Sequence, residues 1–262
     1  MAAGPPYVPE PQEHHVVQSA RSRRSPQARA ERADRILDAA ADLMVVLGPG
    51  KTTIEDVARR AGVGKGTVYL HFPTKEVLFL VVLMRAQSGV TARIMERMKA
   101  DPVETLPSRV GVSALEGLAN SPLLREVYMN NAGMIDTITE TALSESGDLI
   151  DQRIHDFETY FQLLREHGLV RTDLSSDELF HIFGTTLTGF LVHPPLLEHQ
   201  ERRVPGQERR TRLAADALHR SLGENEDPDT LRAAWPRVVA VFDHTDQQVR
   251  AEIDRYRTVR RE

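Results

Sequence analysis

The sequence predicts an all-α fold, with a small N-terminal three-helix unit and a larger helical body, and three observations carry that prediction. Apolar residues recur at spacings of three and four along most of the chain. No stretch of any length alternates apolar and polar residues as a half-buried strand does. Clusters of Gly and Pro punctuate the periodic segments, and there is no internal repeat.

The elements follow in order. Residues 1–26 hold Pro5, Pro6, Pro9, Pro11 and Pro26, with Arg21, Arg23 and Arg24 among serines. This composition reads as a disordered, solvated arm, with phosphate or minor-groove contact as the alternative role. From Gln27 to Leu47 the residues Ala33, Ile36, Leu37, Ala40, Leu43, Met44 and Leu47 make an amphipathic helix, stopped by Gly48-Pro49-Gly50. Thr53 caps a short helix over 54–61, with Asp56 three residues on in a capping-box arrangement. Gly62 turns the chain into a third short helix over 65–71. Longer helices are expected at about 75–98, 108–120, 122–130, 146–167, 176–192 and 207–222. Asp227-Pro228-Asp229-Thr230 then opens another, with Leu231, Trp235, Val238, Val239 and Phe242 as its apolar stripe. The domains expected are an arm over 1–26, a head over 27–75, a body over 76–223 and a C-terminal extension over 224–262. Arg255, Arg257, Arg260 and Arg261 read as its solvated end.

The 262 residues are 40% hydrophobic and 27% charged, enough to bury a sizeable core. There is no cysteine, which excludes disulfides and thiolate metal sites. The N-terminus lacks the apolar core of a signal peptide, and no uninterrupted apolar run reaches the ~18 residues of a membrane span. A soluble, cytoplasmic protein without membrane association is the expectation. The net charge is −5, yet residues 19–80 carry eleven Lys/Arg against seven Asp/Glu. A basic segment joined to an acidic body is the asymmetry expected when one end meets a polyanion.

The stretch from Thr52 to Phe72 carries the chemistry. Two short helices locked at a steep angle need a small residue at their approach, a turn that tolerates positive φ, and apolar pins. Ala58, Gly62 and the trio Val57, Val63 and Val68 supply these. This is a helix-turn-helix pattern, whose second helix lies in a DNA major groove. Over about residues 29–80 the chain also resembles the TetR family of bacterial regulators. The marks are Arg35-Ile36-Leu37-Asp38-Ala39-Ala40, Thr52-Thr53, Ala61-Gly62-Val63, Lys65-Gly66-Thr67-Val68-Tyr69, His71-Phe72 and Lys75-Glu76.

The resemblance implies a homodimeric, sequence-specific DNA-binding transcriptional regulator rather than an enzyme, a repressor released from a near-palindromic duplex operator by a small-molecule effector. It also implies a body that holds the effector pocket and the dimer interface. The DNA-contacting set it implies is Thr52, Thr53, Lys65, Gly66, Thr67, Tyr69, Leu70, His71 and Lys75. Lys65 is placed to meet guanine, and Thr53, Thr67, Tyr69, His71 and Lys75 to meet phosphates. Gly64 stands where a serine often caps the reading helix, and Leu70 where a larger polar or aromatic residue is common.

Other candidates point less sharply. The ten histidines show neither a His-Glu-x-x-His run nor an i, i+4 pair with a third ligand, so no metal site and no cofactor is expected. Ile150, Ile154, Phe157, Phe161 and Leu164 form one apolar stripe, and Phe180, Phe183, Leu187 and Phe190 another. Either is core by default; Tyr128, Met129, Met134, Phe157 and Phe161 are the candidates for a pocket wall. Gly184 and Gly189 are expected at a close helix contact, in the region that the resemblance assigns to dimerisation. Two alternatives remain: a regulator that binds DNA constitutively with no effector, and a helical enzyme, for which no nucleophile-base pair or phosphate-cradling loop is present.

Overall fold

A computed structural model describes residues 26–130, 132–196 and 205–258 and, among them, shows helices and no strand. The arm over residues 1–25, together with Arg260 and Arg261, lies outside the described residues. The head comprises α1 (Pro26–Leu47), α2 (Ile54–Ala61) and α3 (Lys65–His71). Pro26 sits at the first turn of α1, where the missing N–H has no helical partner to lose. Ala33, Ile36, Leu37, Ala40 and Met44 are fully buried along one face of that helix. Thr53 caps α2: its hydroxyl accepts from the Asp56 N–H at 3.2 Å and donates to the Asp56 carboxylate at 2.6 Å. Gly62 ends α2 in the left-handed region at φ 67°, a conformation that a side chain would strain. Gly64 precedes α3 with no side-chain cap, as glycine dictates.

Helix α4 (Lys75–Ala100) runs from head to body, capped by Thr74, whose hydroxyl accepts from the Val77 N–H at 3.1 Å. By length and composition α4 is apolar enough to cross a membrane, which a count of uninterrupted apolar runs overlooks. Most of that apolar stretch is buried, with Val77 to Met84 in the core, so packing accounts for its composition. A 3₁₀ turn (Pro102–Thr105) leads to α5 (Pro107–Asn120), then α6 (Pro122–Asn130). Close approach falls on α5: a Cβ at Gly117 would meet Val90 Cγ1 at 2.4 Å, and one at Gly111 would meet Leu218 Cδ1 at 2.6 Å. At Gly184 and Gly189 a Cβ would meet nothing within 4 Å in the described chain, contrary to the expected close contact there.

Helix α7 (Ala132–Glu166) consists of two helical segments joined at Ser146, whose φ of −145° and ψ of 36° are non-helical, so the second segment starts where the sequence placed a helix start. The Ser146 hydroxyl donates to Glu252 at 2.6 Å. Helix α8 (Ser176–Leu196) and α9 (Gln207–Leu222) follow, the latter closed by Gly223 at φ 59°.

The last helix, α10 (Pro228–Thr258), corrects the sequence reading most. It packs along α4 and α7 and ends on the head. Trp235 donates to the Met98 carbonyl at 2.6 Å, and Asp246 accepts from Ser88 in the buried seam with α4. Arg257, expected to be solvated, holds Asp34 of α1 with two bonds of 2.8 and 2.6 Å. Tyr256 stacks on Phe72 with ring centroids 6.5 Å apart. Arg255 remains exposed and pairs with Glu252. The physical cause is the helix's length, which carries its basic end back to the acidic side of α1.

Candidate nucleic-acid interface and body cavity

Two periodic faces divide α3. Val68 and His71, three residues apart, point inward; Lys65, Gly66, Tyr69 and Leu70 stand exposed. Tyr69 and Leu70 are 42% and 52% exposed, large side chains that core packing does not explain. Lys65, at the first turn, donates to Glu55 of α2, and its ammonium lies 5.9 Å from the centre of the Tyr69 ring. Thr67 is half-buried, Thr53 is exposed, and Lys75 is half-buried with its ammonium 5.2 Å from the Phe79 ring centre. Thr53 caps α2 and Lys65 opens α3, helix starts at which free amides favour an anion. Much of the head's positive charge is matched internally without DNA: Arg60 binds Asp42 at 2.7 Å, and Arg59 binds Asp56.

Two residues of the expected contact set do not reach this surface. Thr52 is fully buried, and its hydroxyl donates to the Gly48 carbonyl at 2.9 Å, tying down the loop before α2. His71 is 4% exposed, and its Nδ1 is buried without a partner among the described residues. The helical repeat turns it in beside Val68, so it positions α3 rather than offering its imidazole to a phosphate. Burial, helped by the positive charges of Arg29 and Arg32, lowers its pKa from 6.5 to about 4.

A histidine held neutral in the folded state stabilises fully above its unfolded pKa, and that contribution fades as pH falls towards the folded one. Between pH 7 and about pH 5 the wild type is therefore expected to lose about 1–2 kcal/mol more than His71→Gln. Urea unfolding at the two pH values measures this; equal losses would remove His71 as the acid-sensitive group.

The body encloses a cavity of about 470 Å³, within the range that holds drug-sized molecules. Helices α4, α5, α6, α7, α8 and α10 wall it. Tyr128 and Phe157, both expected, line it; Phe161 is fully buried behind the wall, against Tyr160 and Phe183. The side chains of Met129 and Met134 lie outside the described residues. Phe161 and Leu164 of the expected α7 stripe are fully buried, Phe157 packs against the core, and Ile154 departs from that stripe. Ile154 is 42% exposed, whereas Arg153, Asp156 and Tyr160 face inward with Phe157. Arg153 lies four residues before Phe157 and three after Ile150, a spacing that places a charge on the inner face. Phe242, expected only in the apolar stripe of the last helix, also lines the cavity, as do Gln87 and Thr245, which the sequence did not single out. Among the described residues no group of three or more His, Asp or Glu side chains is placed to hold a metal ion.

A family model described as "Bacterial regulatory proteins, tetR family" matches residues 36–82. The chain is 34% identical over 128 residues to the HTH-type transcriptional repressor Rv3405c of Mycobacterium tuberculosis, a match spanning 48% of this chain and 68% of that protein. It is 26% identical over 163 residues to the uncharacterised HTH-type transcriptional regulator YvkB of Bacillus subtilis, spanning 61% and 80% respectively. A solved structure of a putative TetR-family regulator from Mesorhizobium loti superposes with a TM-score of 0.51 at 22% identity. That match covers 74% of this chain and 96% of the other, a likeness of fold.

Proposed function

This chain belongs to the TetR family of bacterial regulatory proteins and is a DNA-binding transcriptional regulator, and on that premise we propose that it is a homodimeric repressor released from its operator by a small molecule in the body cavity. Each protomer places α3 in a major groove, with Lys65 on base edges and Tyr69, Thr67, Thr53 and Lys75 on the backbone. Gly66 lets the helix approach closely, and Leu70 offers an apolar contact to a thymine methyl. The two heads meet successive grooves of a near-palindromic site. The exposed Gly189 on α8 suits pairing with a second copy through α8 and α9. The word repressor takes support from Rv3405c, which is named as one.

The observation that carries release is that the cavity shares its walls with the helices that hold the head. Helix α4 begins at Lys75 beside the reading surface and lines the cavity at Gln87, Val90, Thr91 and Ile94. Helix α10 lines it at Val241, Phe242 and Thr245, then grips the head through Tyr256 and Arg257. A ligand that fits one spacing of these helices better than another shifts the head with them, by as much as its affinity differs between the two states. A cavity of this size favours an effector-responsive regulator over a constitutive one.

Selection of bound sequences from a random duplex pool by the full chain, followed by transcription in vitro from a promoter overlapping the selected site, tests the reading. Two inverted half-sites with centres one or more helical turns apart are expected, with transcription falling as protein is added. Failure to enrich any sequence, or activation on addition, contradicts it.

A further inference from the structure

One cation on the cavity wall, Arg153, is not bridged to the carboxylate that shares the wall with it. Arg153 is half-buried on α7, where it lines the cavity; it interacts electrostatically with Tyr128 but makes no ion pair with a described carboxylate. The one other charged group among the described lining residues is Asp156, and its carboxylate is already engaged. It accepts from the Thr245 hydroxyl at 2.5 Å and from the Gln152 amide at 2.9 Å. A guanidinium presents five N–H donors in a planar fork and does not escape its charge by losing a proton. Burial does lower its proton affinity below the usual value, which is the physical signature of a charge in want of a partner.

We propose that the cavity takes a small organic monoanion, a carboxylate on an apolar body, with Arg153 as its anchor. This deepens the effector reading above and rests on it. The planar fork of Arg153 matches a carboxylate with two parallel hydrogen bonds. Tyr128 supplies a further donor: Gln87 donates to its oxygen, which leaves the phenolic proton uncommitted. Burial keeps that phenol protonated. With Asp156 on the same wall the lining carries no net positive charge, which disfavours a phosphate dianion relative to a carboxylate. Phe157, Phe183, Phe242, Leu115, Leu187 and Val90 surround the remainder of the space, so the rest of the ligand is aliphatic or aromatic.

The test uses probes matched in body and differing in head group: decanoate, decanol and decylamine, with naphthylacetate, naphthylethanol and naphthylethylamine as the aromatic set. Calorimetric titration into the full-length wild type is expected to show at least one carboxylate binding about ten-fold or more tighter than its alcohol and amine. Arg153→Met is expected to abolish that preference while leaving the alcohol's affinity unchanged or improved. Tyr128→Phe should weaken the carboxylate several-fold and spare the alcohol. Equal affinities across heads, retention of the preference in Arg153→Met, or no binding by any probe overturns the proposal. Binding of the selected duplex is measured in parallel. A carboxylate that binds without releasing the duplex leaves the ligand class standing and removes its role as effector. Duplex binding with no carboxylate bound removes the ligand class and leaves DNA reading intact.

Discussion

Phe72→Ala is expected to destabilise the protein by about 3–5 kcal/mol and to abolish DNA binding with it. Phe72 is fully buried at the end of α3, where its N–H closes the helix on the Val68 carbonyl at 2.8 Å. Its ring lies between His71, 6.0 Å away, and Tyr256 of α10, 6.5 Å away. Truncation therefore opens a cavity where the small head core meets the end of α10. A three-helix head has few other large side chains with which to refill the space. Phe72→Leu, which keeps most of the volume, should lose about 1.5 kcal/mol or less. Urea unfolding followed by circular dichroism separates the two variants. A loss under about 1 kcal/mol for Phe72→Ala would show that the ring is not a shared keystone of head and α10.

Charge reversal at Lys65 should act on binding and spare folding. Its ion pair with Glu55 joins side chains that are 51% and 57% exposed, so water screens it and breaking it leaves the fold essentially as stable. On DNA the ammonium is expected to leave Glu55 for a base edge. A specific contact of this kind contributes about 1–3 kcal/mol, and a dimer makes it twice. Lys65→Glu also sets a carboxylate beside Glu55 and against the phosphates. The expected outcome is an affinity loss on the order of 10²-fold or more, with an unchanged melting temperature. Glu55→Gln, which frees Lys65 and removes an acidic group from the reading surface, should bind DNA at least as tightly as the wild type. Fluorescence anisotropy with labelled duplex measures all three proteins. Unchanged binding by Lys65→Glu would remove the residue from the interface.

The head was legible in the sequence because its signals are local. Thr53 with Asp56, Gly62 and the stop at Gly48 each act within a few residues, and the structure places the short helices at the expected boundaries. The same local reading misjudged Thr52 and His71, since a hydroxyl and an imidazole look polar whether they face a phosphate or the core. Only the register against Val68 distinguishes the two. In the body, Ser146 is a helix boundary as its sequence suggests, but its tie to Glu252 spans more than a hundred residues. Arg257 and Asp34 are 223 residues apart, a pairing that no window along the chain reveals. Arg153 is the intermediate case. Its helical position predicts an inward charge, but that it lines a cavity beside Tyr128 is a property of the folded chain.

The account rests on the surface around Lys65 reading DNA sequence. The most direct test is the ratio of affinities of the full-length protein for its selected duplex and for a scrambled duplex of equal length and composition, at one fixed salt concentration. The selected duplex is predicted to bind on the order of 10³-fold tighter. Equal affinities would mean that the head binds the phosphate backbone alone, and would contradict the account.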